Sequence, residues 1–459
     1  MSQGDRPPLA QWAADIGGRV FWLALLVGLI VGILGSAFHW LLDLVAGWRT
    51  ALMAGGLDPA LQGLLGPLAA AVPMPVLRFV LMALIAMAAI TVARWMVRRL
   101  APEAAGSGVQ EIEGAMLGER PLRWARVIPV KFLGGLLSLG SGFALGREGP
   151  TVHMGGAAGL AVAELSGSRH SEAMALVAAG AGAGIAAAFN APIAGVLFVI
   201  EEMRREARYS FQGYHAVFIA CFAATFVTER MAGLGPELPM AMQAPSLAHY
   251  PFFVLLGAAL GALGVLFNRM VLRTLDLFAA WNRVAGWSQV VVMALVLATL
   301  LQVMPAATTG GEAIVPTLAG SVPGLGFLVM LFLARYLFTL GSYAMGTPGG
   351  VFAPILALAT TAGLVIAQLC SALLPGFHPE HQAVAAAAMA ALFTGSVRAP
   401  LVGIVLVAEL FDAYAATLAT GVSVVTASLT AATLGGRPLY ELLLERTMRL
   451  AGAPPRDKT

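Results

Sequence analysis

The stretch Gly146-Arg147-Glu148-Gly149-Pro150 places one carboxylate between glycines in a chain that is otherwise strongly apolar. Proline suits the first position of a helix, because the N–H that it lacks has no partner there, so Pro150 predicts a helix start. A helix N-terminus attracts anions, since its unpaired N–H groups carry partial positive charge. The stretch therefore predicts that the Glu148 carboxylate and a small anion compete for one helix end.

The composition places this stretch in a membrane protein. Of 459 residues, 59% are hydrophobic and 11% are charged, whereas soluble domains carry about 25% charged residues. Segments 284–311 and 341–377 contain no Asp, Glu, Lys or Arg, and about 20 apolar residues suffice for one spanning helix. We therefore expect an all-α polytopic membrane protein in contact with the lipid bilayer.

The 53 glycines and 26 prolines indicate that several of these helices are interrupted. Small residues let membrane helices pack closely. Broken helices are tolerated in a membrane where they are buried in protein or line a wet cavity. The composition therefore predicts a bundle with broken helices rather than a set of plain spans.

The remaining bulk features exclude other classes of protein. The net charge is +3, and Arg94, Arg98 and Arg99 flank an apolar run, which favours positive-inside loops over nucleic-acid binding. The two cysteines indicate no disulfide framework. His153 has no second His or Cys at ligand spacing, so we expect a packed side chain there, no metal and no cofactor.

An internal repeat divides the chain into two halves. Segment 191–201, APIAGVLFVIE, matches segment 399–409, APLVGIVLVAE, at an offset of 208 residues. A second match, Leu-Gly-Ser at 139–141 and at 340–342, precedes a Gly- and Pro-rich interruption in each copy. Duplicated halves with such interruptions at corresponding positions are typical of a transporter with a site near the middle of the membrane.

We place the first half at 18–232 and the second at 250–440, within a single membrane domain that spans 1–459. Residues 233–249 join the halves, and the tail 441–459 is too short for a soluble regulatory domain. The repeat alone leaves open whether the halves are parallel or inverted.

Three interruptions supply candidate anion ligands, at 106–108, 146–150 and 349–354. Glycine lets backbone N–H groups approach an ion closely. Several helix N-termini that meet at one point can hold an anion without a full positive charge. Each interruption alone is also consistent with close helix packing.

Several polar side chains each allow two interpretations. Ser107 is either a hydroxyl donor to an anion or a helix N-cap, and Tyr440 is either a phenol donor or an interfacial aromatic. Glu201 and Glu202 end an apolar run, either as boundary charges or as a proton entry point. Ion pairs that stabilise the core are expected among Glu111, Glu113 and Arg147.

Three motifs and a late tyrosine together resemble the CLC family of chloride channels and chloride/proton exchangers. They are, in order, Gly106-Ser107-Gly108, Gly146-Arg147-Glu148-Gly149-Pro150, Gly350-Val351-Phe352-Ala353-Pro354 and Tyr440. The resemblance covers residues 18–446, nearly the whole chain. It implies an all-helical fold of two inverted halves, a homodimer with a separate pore in each subunit and, for this length of tail, no CBS domain.

The resemblance also implies roles for individual residues. Ser107 and Tyr440 would contact the central anion, and backbone N–H groups around the third motif would complete its site. Glu148 would be the gate, which occupies an anion position when it is charged. The candidate anion-binding residues are then Gly106, Ser107, Gly108, Arg147, Gly149, Val351, Phe352, Ala353 and Tyr440.

Exchangers of the family carry an inner glutamate that passes protons, and its place before Met203 favours Glu202 over Glu201. Its presence favours an exchanger over a channel. Ser107 favours chloride over nitrate, because nitrate-preferring relatives have Pro there, and the intact second motif argues against the fluoride-exporting branch. Gln110 is a departure, since family members commonly have Pro at this position, and it leaves the helix start less rigid.

The sequence therefore predicts a proton-coupled chloride antiporter, with a passive chloride channel of the same fold as the alternative. An intramembrane enzyme that uses Glu148 and His153 on a lipid lacks a ligand set. The expected partners are chloride, protons, the lipid bilayer and a second copy of the chain, with no nucleic acid. We expect the protein in the bacterial cytoplasmic (inner) membrane, with both termini cytoplasmic.

Overall fold

The computed structural model describes residues 18–54, 72–203 and 211–452, apart from positions 234 and 237. The described part forms sixteen α-helices joined by short turns and 3₁₀ segments. The helices are α1 (Gly18–Ala54), α2 (Met74–Leu100), α3 (Val109–Met116), α4 (Trp124–Gly140), α5 (Glu148–Leu165), α6 (His170–Phe189), α7 (Pro192–Glu202), α8 (Phe211–Ala232), α9 (Tyr250–Val303), α10 (Val315–Gly320), α11 (Leu325–Ala344), α12 (Phe352–Leu373), α13 (His381–Val397), α14 (Pro400–Phe411), α15 (Thr417–Thr433) and α16 (Leu439–Leu450).

Seven helical stretches in the described part are long and apolar enough to cross a bilayer. Shorter helices lie between them. In α13 every residue from Ala383 to Val397 is buried, and this helix packs against α9, α12 and α15. A helix that is apolar on all sides is buried in the core of its bundle. The chain is an integral membrane protein, and its all-α polytopic class is confirmed.

Two of the predicted interruptions open directly into buried helices. Helix α5 begins at Glu148 and α12 begins at Phe352. The expectation that Pro150 occupies the first helical position is wrong, because it is the third residue of α5. Pro354 is likewise the third residue of α12. Proline is tolerated there because no N–H in the first turn has an intrahelical acceptor.

The repeat-related helices α7 and α14 hold each other at both ends. The Glu201 carboxylate near the end of α7 accepts the Val402 N–H at the start of α14, at 2.8 Å. The Glu409 carboxylate of α14 accepts the N–H groups of Ile193 and Ala194 in α7, at 3.1 and 2.8 Å. We call this reciprocal arrangement the glutamate clasp.

The glutamate clasp fixes the relative direction of the two halves. Each helix places its C-terminal glutamate on the N-terminus of the other, so α7 and α14 run antiparallel. Because they are equivalent parts of the repeat, the halves are inverted, which the sequence repeat alone left open. Negative charge at a helix N-terminus is also favourable for the helix dipole.

Several helix ends lie at the bounds predicted for the two halves, and the division itself stays a prediction. Helix α1 begins at Gly18, α8 ends at Ala232 and α9 begins at Tyr250. Helix α16 continues to Leu450, so the predicted boundary at 440 falls inside it. Most of the N-terminal segment and residues 453–459 of the tail lie outside the described residues.

Glu409→Ala tests the glutamate clasp. The substitution leaves the N–H groups of Ile193 and Ala194 without their acceptor, and we expect it to destabilise the protein by about 2 kcal/mol. Glu409→Gln retains one acceptor oxygen and should lose about half as much. Thermal unfolding of the purified protein in detergent measures both effects. Glu380→Ala, at an exposed position, is the control, and equal melting temperatures for the Glu409 and Glu380 variants would contradict the role of the clasp.

Candidate functional site

The Glu148 carboxylate lies at the N-terminus of α12, a helix of the other half. Its Oε1 accepts the Phe352 N–H at 2.7 Å and the Ala353 N–H at 3.3 Å. Oε2 is buried and has no hydrogen-bond partner within the described residues, and the side chain is only 1% exposed. A buried carboxylate therefore occupies the helix end that would attract a small anion.

Glycines on both halves make the space for this carboxylate. A Cβ at Gly146 would lie 2.1 Å from Oε2 of Glu148, and a Cβ at Gly350 would lie 2.3 Å from Oε1. Any other residue at these positions would collide with the bound carboxylate. A Cβ at Gly149 would lie 2.9 Å from the Cα atoms of Ser107 and Gly350, so the three interruptions meet there.

Backbone hydrogen bonds tie the three interruptions to one another. Gly146 and Gly350 exchange both N–H···O bonds, each at 2.8 Å. Gly106 donates to the Thr347 carbonyl at 3.1 Å and accepts from the Gly349 N–H at 3.0 Å. The sequence predicted the three interruptions, and the structure shows that their backbones form one connected unit.

Lys131 in α4 orients the first interruption. Its ammonium is fully buried and donates to the carbonyls of Gly106 and Ser107, at 2.7 and 2.9 Å. In a trans peptide the N–H points away from the preceding carbonyl, so the N–H groups of Ser107 and Gly108 face away from Lys131. Sequence reasoning missed this residue, although a lone lysine within an apolar helix is a signal of function.

Tyr343 is a second residue that sequence reasoning missed. It lies in α11 and is buried, and a Cβ at Gly106 would lie 3.1 Å from its hydroxyl. The same hydroxyl interacts with the backbone of Ser107. The first interruption is therefore contacted by two side chains, Tyr343 and Lys131. Tyr343 directly follows the Leu-Gly-Ser repeat at 340–342, but the repeat does not indicate that its side chain contacts the first interruption.

Ser107 and Tyr440 come together beside the gate. The residue that caps α3 is Gly108, with a left-handed φ of 93°, so the N-cap interpretation of Ser107 is wrong. The Ser107 hydroxyl is buried and has no hydrogen-bond partner within the described residues. Tyr440 is 1% exposed, so it is not an interfacial aromatic. Its hydroxyl lies beside the Ser107 hydroxyl, without a hydrogen bond of good geometry, and interacts electrostatically with Glu148. Both hydroxyls can donate to an anion.

The candidate ion pairs have different outcomes. Glu111 pairs with Arg120 at 2.8 Å. The Arg147 guanidinium lies 3.0 Å from Nε2 of His39 in α1. A Glu113–Arg147 pair and an anion contact by Arg147 stay predictions.

Two residues beside the first interruption are buried without full hydrogen bonding. The Gln110 Oε1 has no partner within the described residues. His153 is completely buried against Gly108, as expected of a packed side chain, but the expectation that its hydrogen bonding is satisfied is not met, because neither ring nitrogen has a partner within the described residues. Three polar atoms near the start of α3 can therefore still form hydrogen bonds.

The neighbouring glutamates 201 and 202 have different surroundings. Glu201 is engaged by the glutamate clasp through Val402. Glu202 is the last residue of α7, is partly buried and is within electrostatic reach of the Tyr440 hydroxyl. The Tyr440 hydroxyl therefore interacts electrostatically with both Glu148 and Glu202, the two glutamates predicted to carry protons.

The chain matches the family model described as voltage gated chloride channel, over residues 85–432. Two curated relatives are named H(+)/Cl(-) exchange transporter ClcA. The one from Vibrio cholerae serotype O1 is 40% identical over 439 residues, which is 94% of this chain and 90% of the relative. The one from Yersinia pseudotuberculosis is 42% identical over 433 residues, with 93% and 87% covered.

A solved structure is also similar over nearly the whole chain. It is described as a slow cyanobacterial Cl−/H+ antiporter, is 34% identical and superposes with a TM-score of 0.85. The similarity covers 94% of this chain and 98% of that structure. The arrangement of helices is therefore shared along nearly the full length of both proteins.

Gly146→Ala tests the competition between the carboxylate and an anion. The added methyl group collides with the Glu148 carboxylate and displaces it, so chloride should bind about 10-fold more tightly, as expected for the loss of a charge-assisted hydrogen bond. Calorimetric titration of the purified protein with chloride measures the affinity.

Two matched variants control this experiment. In a Glu148→Ala background, Gly146→Ala should have no further effect, because the carboxylate is already gone. Gly326→Ala adds a methyl group in open space in α11 and should leave the affinity unchanged. An unchanged affinity in Gly146→Ala itself would show that the carboxylate does not compete with chloride.

Proposed function

The chain belongs to the voltage gated chloride channel (CLC) family, and we propose that it exchanges chloride for protons across a membrane. The observation that carries the proposal is the Glu148 carboxylate on the N-terminus of α12, where it accepts the N–H groups of Phe352 and Ala353. Two relatives named as H(+)/Cl(-) exchange transporters, at 40% and 42% identity over more than nine tenths of this chain, support it.

One side chain links the two fluxes in this mechanism. When Glu148 is charged, it occupies the end of α12 and excludes the anion. When it takes up a proton, it loses its charge and its attraction to these N–H groups, so chloride can replace it. The population of each state depends on both ligands, and proton movement is thereby coupled to chloride movement.

Neutral groups hold the anion in this proposal. The Ser107 and Tyr440 hydroxyls and the N–H groups at the start of α12 surround the position, with the glycines of the three interruptions giving them access. The Lys131 ammonium binds carbonyls of the first interruption rather than standing as a free ligand. An anion held by dipoles leaves more readily than one held by a full charge, which favours turnover.

Glu202 is the proposed inner proton residue. The glutamate clasp engages its neighbour Glu201, whereas Glu202 is within electrostatic reach of Tyr440 at the anion position. Protons would pass between Glu202 and Glu148 on the side of the site where Tyr440 lies.

We propose a homodimer with one pore in each subunit, as membership of the family implies. The named relatives are from bacteria, which supports a place in the bacterial inner membrane. Positive-inside loops support cytoplasmic termini.

Replacement of Glu148 by Ala should separate the two fluxes. In liposomes that contain the wild-type protein, a chloride gradient should drive protons uphill. Glu148→Ala should retain chloride flux and lose this proton pumping, because no side chain carries the proton to the anion position. A chloride electrode and a pH-sensitive dye measure the two fluxes, with Glu380→Ala as the control. Wild-type chloride flux without proton pumping would instead identify a passive channel.

The neighbouring glutamates are distinguished by Glu202→Gln and Glu201→Gln. We expect Glu202→Gln to reduce the ratio of protons to chloride at least 10-fold, because it removes the inner proton acceptor. Glu201→Gln keeps an acceptor oxygen for Val402 and should retain the wild-type ratio. The ratio is read from the reversal potential in liposomes. Loss of coupling only in the Glu201 variant would reverse the assignment.

A further inference from the structure

A groove lined by three arginines lies between α2 and α9, away from the anion position. It has a volume of about 570 Å³, and its polar and aromatic lining is supplied by Arg94, Arg98, Arg99, Trp95 and Trp287. None of the residues that line it is Asp or Glu. We call it the arginine groove.

Arg94 is the inner wall of the arginine groove. It is only 7% exposed, and its Nη2 donates to Oδ1 of Asn282 at 2.9 Å and to Oε1 of Gln289 at 3.2 Å. Its Nη1 is buried and has no hydrogen-bond partner within the described residues. Amide oxygens satisfy donors but do not neutralise the charge, so the buried guanidinium keeps both a free donor and a full positive charge.

The other two arginines add uncompensated charge at the rim. Arg98 donates to the same Asn282 oxygen at 2.8 Å. Arg99 is exposed, and the described residues contain no hydrogen-bond or ion-pair partner for it. Three cations share one groove, and no carboxylate of the described residues forms an ion pair with any of them, although positive charge near a membrane interior is expensive when it is unpaired. An anion of matching shape would compensate this charge.

Two tryptophans place the arginine groove at the level of lipid headgroups. Trp95 is 55% exposed and Trp287 is 74% exposed. Exposed tryptophans of membrane proteins collect at the boundary between headgroups and acyl chains. Helix α9 also changes direction here, because Ala285 has non-helical φ and ψ angles of −150° and 63°. The groove therefore opens beside a turn of the chain, where a span ends.

We propose that the arginine groove binds the phosphate headgroup of an anionic phospholipid. Guanidinium groups bind phosphate oxygens in a bidentate manner, and basic pockets between membrane helices are suited to anionic headgroups. The exposed tryptophans and the partly exposed Val291 and Met87 offer an apolar surface to the acyl chains. The site is separate from chloride–proton exchange and does not depend on that proposal.

Phosphatidylglycerol binding to the purified full-length protein in detergent tests the site. Native mass spectrometry measures the affinity during titration with phosphatidylglycerol, and phosphatidylcholine serves as the zwitterionic comparison. Arg98→Gln with Arg99→Gln removes two charges and should weaken phosphatidylglycerol binding roughly 10- to 30-fold. Arg126→Gln with Arg273→Gln removes two exposed arginines elsewhere and should leave the affinity unchanged.

Three outcomes would overturn the proposal. They are equal phosphatidylglycerol affinity in both double variants, equal binding of phosphatidylcholine by the wild type, and displacement of the lipid by millimolar inorganic phosphate, which would identify a site for free phosphate. Arg99→Gln alone keeps every hydrogen bond of Arg94 and Arg98. It serves as the test if the double variant fails to fold, with an expected weakening of roughly 5-fold.

Discussion

The hydrogen bonds from Phe352 and Ala353 to the Glu148 carboxylate are the contact on which the rest of the structure depends. A carboxylate without donors is costly inside a membrane protein, and these donors come from the opposite half of the chain. The two halves must therefore be held at a fixed separation. Glycine at 146 and 350 follows from the same contact, since a Cβ at either position would overlap the carboxylate.

Hydrogen bonds connect the surroundings of this contact, and the proposed moving part is a single side chain. Backbone hydrogen bonds join Gly146 to Gly350 and Gly106 to Gly349, and the Lys131 ammonium holds the carbonyls of the first interruption. Such a scaffold keeps its N–H groups in place whether a carboxylate or an anion is bound. When the ligand of a preorganised site changes, rearrangement of the site costs little free energy.

Much of this arrangement could be predicted from sequence, because the residues that form it belong to short motifs of consecutive residues. The order of the three glycine motifs, the 208-residue repeat and the late Tyr440 point to the fold and to the residues that meet at the site. Lys131 and Tyr343 were not assigned, since neither belongs to the glycine motifs and each acts through contacts with residues distant in sequence. The contact between Glu201 and Val402, which are 201 residues apart, could not be predicted from the sequence either, although the place before Met203 already favoured Glu202 as the inner proton residue.

The glutamate clasp has a consequence for the origin of the fold. In a two-fold interface between identical subunits, every contact occurs twice, once in each direction. Here Glu201 and Glu409 obey that rule inside one polypeptide. The chain is thus arranged like a fused pair of subunits that were inserted in opposite orientations, and an ancestor of half the length would have needed dual topology to assemble it.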